Sequence, residues 1–157
     1  GTELEADIIV TATGFNLNAL GDAEFTIDGA AVDYPSAVTY RGVMFSDIPN
    51  MASVFGYLRT SWTMRADLIS DFVCRLLNHM DELGATVCTP TLSEADRNMP
   101  LGPFIPEEDF NPGYMIRGRD LMPKQGDHAP WIASNDYYQE KDEFPAIDLD
   151  EPELQYR

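Results

Sequence analysis

Few side chains in this 157-residue chain are suited to acid–base or nucleophilic chemistry. His79 falls near the end of a helical pattern and reads as a capping or surface residue. His128 lies in the loop Gly126-Asp127-His128-Ala129-Pro130-Trp131 and is the better candidate. A single imidazole without a matching partner still makes neither a metal site nor a triad. Cys74 and Cys88 are the only cysteines, and neither zinc spacing nor a CxxC redox pair exists. Glu107-Glu108 and Asp142-Glu143 read as solvated surface, and Trp62, Trp131, Tyr137 and Tyr138 as packing anchors.

The backbone offers more. Thr60-Ser61-Trp62-Thr63 stands where a Gly56-containing loop opens a helix, a place with unpaired amides and a partial positive charge. Such a place suits a phosphate, or the electron-rich carbonyl edge of a flavin ring, which gains negative charge on reduction. Neither a Walker loop nor GxGxxG occurs. The chain alone therefore lacks the phosphate-binding loop that holds a dinucleotide.

The elements that must position this helix start are legible in part. Residues 6–13 read as a buried parallel strand that ends in the tight turn Ala12-Thr13-Gly14. Phe25 to Val32 places two short apolar runs around Asp28-Gly29, a hairpin signal. Tyr40 to Phe45 reads as a strand with Gly42 as a bulge or point of close approach. Ile48-Pro49-Asn50 makes a turn and Met51 to Phe55 a further strand. From Trp62, residues Leu68, Ile69, Phe72, Val73, Leu76, Leu77 and Met80 fall on one helical stripe. Thr63, Arg65, Asp67, Ser70, Asp71 and Asn78 lie largely off it. Thr60 or Ser61 caps the start and Gly84 ends the helix. Cys74, inside this pattern, reads as a small hydrophobe, and Cys88 lies in a strand or loop beyond it.

Most of the eleven prolines follow Gly84, so short strands and wrapped loops are expected there rather than a second compact core. Asp136 to Glu153 is dense in acid and reads as a docked or partly mobile tail. The whole chain carries 27 acidic against 10 basic residues, a formal charge of −17. That surface repels phosphate backbones and anionic lipid, which argues against nucleic-acid binding and polybasic membrane docking. No apolar run is long enough to span a bilayer, and the two unpaired cysteines fit a reducing cytoplasm.

Several of these segments together resemble class B flavoprotein monooxygenases, the group of Baeyer–Villiger and flavin-containing monooxygenases. Asp7-Ile8-Ile9-Val10-Thr11-Ala12-Thr13-Gly14-Phe15 is similar to their DxxxxATG[FY] element. Ile48-Pro49-Asn50-Met51, Phe55-Gly56-Tyr57 and Ser61-Trp62-Thr63-Met64-Arg65-Ala66-Asp67-Leu68 resemble the last strand and helix of the FAD domain. Phe72 to Asn78 continues the likeness. Pro112-Gly113-Tyr114-Met115, Pro123-Lys124-Gln125-Gly126 and Pro130-Trp131 look like the C-terminal segment of one subgroup. The likeness covers roughly residues 5–140.

The resemblance implies an α/β, Rossmann-like flavoprotein with two dinucleotide-binding domains, of which this chain is a C-terminal fragment. Short strands, a β-hairpin, one long helix and a loop-rich tail make up that fragment. Residues 1–15 would close the NADPH domain and lead back, 16–84 would complete the FAD domain, and 85–157 would form the acidic C-terminal segment. FAD and NADPH are the implied cofactors, with O2 and a small organic molecule as substrates. NADPH would reduce FAD, and a C4a-peroxyflavin would insert oxygen into a ketone or oxidise sulfur or nitrogen. Ala12, Thr13 and Gly14 would pass close to the cofactors, and Thr60, Ser61, Trp62 and Thr63 would meet the flavin pyrimidine edge.

The family's catalytic groups, its GxGxxG loops and its FxGxxxHxxxW fingerprint are expected upstream of Gly1, so the 157 residues alone are expected to be inactive. Leu58-Arg59-Thr60 departs from the small polar residues usual there, which sets a bulky cation near the flavin or in solvent. The acidic ending after Tyr138 departs from the basic tail expected. Two other readings stay open: a flavin disulfide reductase, and a cofactor-free binding or scaffolding module. The remainder of the same polypeptide is the implied partner, and a homo-oligomer stays open.

Overall fold

Asp28-Gly29 sets the first element pair. In the computed structural model, which describes all 157 residues, β1 (Thr26–Ile27) and β2 (Ala30–Ala31) pair antiparallel, Thr26 opposite Ala31. Both turn residues take positive φ, 51° at Asp28 and 83° at Gly29. A two-residue turn of this kind matches the twist of its strands, and Asp-Gly adopts it at low cost.

A second hairpin follows where one strand was expected. β3 (Thr39–Tyr40) and β4 (Met44–Phe45) pair antiparallel, with Tyr40 opposite Met44. Arg41 and Gly42, at φ 51° and 68°, reverse the chain between them. Gly42 is thus a turn residue, not a bulge. It is also a point of close approach: a Cβ there would lie 2.6 Å from Arg65 Nη2.

Helix α1 (Trp62–Leu83) is the longest element. Its inward stripe is Arg65, Ile69, Phe72, Leu76 and Met80, spaced by three and four residues. Leu77, expected on that stripe, is exposed, and so is Cys74. Gly84 ends the helix in the left-handed region at φ 65°, donating its amide to Asp81 O at 3.1 Å.

The proline-rich remainder wraps back onto α1. β5 (Cys88–Pro90), β6 (Gly102–Pro103), α2 (Gly113–Gly118), β7 (Lys124–Gln125), α3 (Tyr137–Glu143) and β8 (Leu154–Tyr156) follow in order. β5 pairs antiparallel with β8, Cys88 opposite Tyr156 and Pro90 opposite Leu154. β6 pairs antiparallel with β7. The acidic stretch is therefore docked, not a loose tail. Phe144, Ile147 and Leu154 share one core with Tyr40, Met44, Phe72 and Trp131. Trp131 is fully buried and meets Tyr40 edge-on at 6.0 Å.

Two expected strands are not formed. Residues 6–13 have no ladder partner, and Ile8, Ile9 and Val10 are 81–84% exposed. An apolar run reads as a buried strand only when neighbouring strands cover it, and no segment of this chain lies alongside. Met51–Phe55 likewise runs without a ladder, although Ser53 N donates to Val43 O at 2.8 Å. The architecture is α/β with short strands and three helices, and no helix is long and apolar enough to cross a membrane.

Because β8 contributes to the main core, Leu154→Ala is expected to destabilise the chain by about 2–5 kcal/mol in urea unfolding. A loss below about 0.5 kcal/mol, the scale of an ordinary surface change, would mean the C-terminal segment is not part of that core.

Candidate functional site

The start of α1 is open. Thr60, Ser61, Trp62 and Thr63 are all exposed. Ser61 occupies the N-cap position, yet its side chain caps no amide; its hydroxyl pairs with that of Thr63 at 2.9 Å. No acidic residue occupies the first turn, in a chain where acids outnumber bases 27 to 10. The positive end of a 22-residue helix is thus left without the carboxylate that normally complements it. Among this chain's residues, that donor set fits an electron-rich carbonyl edge or an anion.

Behind the opening the chain is tightly fixed. Gly56 is buried against Trp62; a Cβ at Gly56 would fall 2.3 Å from Trp62 Cδ2 and 2.7 Å from its Cα. Only glycine permits that approach. Phe55 lies 5.0 Å from the Trp62 ring and meets Phe104 edge-on at 5.4 Å. Leu58 N donates to Asn135 Oδ1 at 3.0 Å. Arg59 does not project freely: its Nη2 donates to Asp109 O at 2.8 Å and ties the 108–109 loop to the connection before α1.

Arg65 is the residue that the sequence pattern missed. It was expected off the apolar stripe, yet it is 2% exposed, one helical turn below the opening. Its Nε and Nη2 donate to the two carboxylate oxygens of Glu140 on α3, at 2.8 and 2.9 Å. Nη1 reaches Phe55 O at 2.8 Å and Gly42 O at 3.3 Å, and Nη2 also reaches Arg41 O at 3.0 Å. Tyr57 Oη donates to Glu140 Oε2 at 2.6 Å. Burial, then that bond to Glu140, pushes the Tyr57 hydroxyl's pKa well up, so it remains a donor. The signal for Arg65 was its register with Ile69, Phe72 and Leu76. Its acid partner, 75 residues on, was not legible.

The other expected site residues lie apart. Ala12, Thr13 and Gly14 are exposed, and a Cβ at Gly14 would meet nothing within 4 Å. No hydrogen bond joins them to the start of α1. The chain that follows is anchored on α2: Phe15 packs on Tyr114 at 4.3 Å, and Arg117 Nη2 donates to Phe15 O at 3.0 Å. His79 packs edge-on against Tyr156 with Asp150 beside it at 3.1 Å. His128 is held between two carboxylates, Nδ1 at 2.6 Å from Asp127 and Nε2 at 3.1 Å from Asp96. With both nitrogens engaged it is a strut, not a free base. Asp127, then Asp96, pushes the imidazole's pKa up.

With this geometry in place, the comparisons are specific. The chain is 47% identical over 137 residues to the FAD-containing monooxygenase EthA of Mycobacterium tuberculosis, covering 87% of this chain and 27% of that protein. It is 46% identical to EthA of Mycolicibacterium smegmatis, and 36% identical over 99% of its own length to the Probable FAD-binding monooxygenase AlmA of an Acinetobacter species. The chain is homologous to FAD-containing monooxygenases. It spans about a quarter of the length of the curated relatives it matches, 27% for EthA. No family model matches the chain, and no solved structure does.

In this monooxygenase relative, two outcomes are expected. Arg65→Met, which strands the buried Glu140 charge, is expected to cost about 3–5 kcal/mol in urea unfolding; an unchanged midpoint would contradict the burial. His128 has a raised folded pKa, so its stabilisation is full below its ordinary value of 6.5 and fades as pH rises through the folded one. The stability gap between wild type and His128→Ala should therefore shrink between pH 5.5 and pH 9. A constant gap would count against the ionic strut.

Proposed function

We propose that this chain is the C-terminal portion of an FAD- and NADPH-dependent monooxygenase. In this reading the start of α1 meets the pyrimidine edge of the flavin. The observation that carries the reading is the α1 opening itself: exposed residues from Thr60 to Thr63, no side-chain cap and no first-turn carboxylate. The names of relatives 42–47% identical to the chain, FAD-containing and FAD-binding monooxygenases, support FAD as the group. When bound, FAD supplies the redox chemistry and the activation of O2. The residues of this chain bind and orient: the amides at Trp62 and Thr63 stabilise negative charge that rises on the ring edge. Gly56, packed on Trp62, would hold the 55–58 connection beside the bound ring.

Residues 1–15 close the NADPH domain and lead back through Ala12, Thr13 and Gly14, on this proposal. Residues 16–84 complete a Rossmann-like FAD domain, and 85–157 brace it from outside. The exposed run Ile8-Ile9-Val10 supports the first part, since it has the composition of a strand that sheet neighbours cover. The substrate is a small organic molecule taking one oxygen atom at a ketone, sulfur or nitrogen, as in Baeyer–Villiger and related oxygenations, in the cytoplasm.

Thr63→Asp tests the reading in the full polypeptide that carries these residues. An acid on the first turn favours the helix itself, so melting of α1 cannot explain a loss of cofactor. Repulsion of about 0.5–2 kcal/mol is expected to weaken FAD binding roughly twofold to thirtyfold. Wild-type protein that purifies without flavin, or Thr63→Asp that binds FAD as wild type does, would overturn it.

A further inference from the structure

The buried pair beneath the α1 opening has a consequence for the charge that the opening presents. Arg65 lies one turn inside the positive end of α1, where a cation adds to the helix dipole instead of complementing it. Its guanidinium also borders the cleft formed by Phe55, Gly56, Leu58 and Phe104. Left unpaired there, it would place a full charge under the flavin-facing turn. Glu140 accepts from Nε and Nη2 in a two-point fork, at 2% exposure on both sides. That geometry is the strongest pairing available to a carboxylate and fixes the plane of the guanidinium. The remaining donors then reach Phe55 O and the Arg41-Gly42 turn. Phe55 precedes Gly56, which bears on Trp62, and Tyr57 is held by the same carboxylate.

We propose that Glu140 is a positioning residue for the flavin site: it cancels the charge of Arg65 and, through it, fixes the 55–57 connection against Trp62. The start of α1 is thereby presented as a rigid set of amide donors backed by a neutral pair. The C-terminal segment takes part in the cofactor site through this one carboxylate without touching the cofactor. The proposal rests on the reading that the α1 start faces the flavin.

The test is the flavin midpoint potential of the full-length holoenzyme, read beside its melting temperature. Glu140→Gln leaves Arg65 charged and unbalanced, which favours the negatively charged reduced flavin. The potential is expected to move to a more positive value. Arg65→Gln with Glu140→Gln removes both charges, and its potential is expected to return close to wild type. A residue that only holds the fold would lower the melting temperature and leave the potential alone. Flavin-replete Glu140→Gln at the wild-type potential would overturn the proposal, as would a double variant displaced as far as the single one. If Glu140→Gln loses its flavin, the double variant decides. Recovered flavin binding supports the proposal, and a folded double variant that stays flavin-free refutes it. Thr63→Asp separates this failure from failure of the site reading. If Thr63→Asp alters the flavin and Glu140→Gln does not, only the role of Glu140 is wrong; if neither does, α1 does not face the flavin.

Discussion

A guanidinium that is 2% exposed has to be paired, because an isolated buried charge costs more than a small domain can spare. Arg65 meets that demand with Glu140, and the surrounding fold is arranged to bring Glu140 to it. The acid sits on α3, within a segment that also inserts Phe144, Ile147 and Leu154 into the core and ends as β8 on β5. Arg41 closes the same region from the other side, with Nη2 2.9 Å from Glu151. Tyr40 donates to Glu151 as well. Two arginines from the 40s and 60s are thus matched by two glutamates from the last twenty residues. The acidity of that stretch, unexplained by composition, is in part this pairing.

Legibility in the sequence followed the range of the interaction. The Asp28-Gly29 hairpin and α1 with its Gly84 stop are set by neighbours in the chain, so turn chemistry and helical spacing disclosed them. Tyr40 to Phe45 looked like one strand because alternation does not reveal that Arg41 can take positive φ beside Gly42. Residues 6–13 and 51–55 have strand composition without strand partners in this chain, and composition reports a preference, not a ladder. Arg65 was the costliest omission. Polarity placed it off the stripe although its spacing placed it on, and only a partner far along the chain resolves that conflict.

The candidate site divides in the same way. Thr60 to Thr63 was singled out from the loop-to-helix junction, and the structure leaves that junction open and free of first-turn acid. Ala12 to Gly14 is exposed and not joined to it, and its proximity to a cofactor stays part of the proposed reading. His128, the better imidazole on sequence, is occupied by Asp127 and Asp96. In the proposed monooxygenase role, the chain supplies a fixed helix end, its partial positive charge backed by a neutral ion pair, rather than a reacting side chain.

The most direct measurement is a crystal structure of the full polypeptide with FAD bound. A carbonyl oxygen of the flavin pyrimidine edge is expected within about 3.2 Å, hydrogen-bond range, of an amide nitrogen in the first turn of α1. Arg65 and Glu140 are expected to remain paired beneath it. A flavin ring seated against another part of the protein, with the α1 start facing solvent, would contradict the proposed role of this helix.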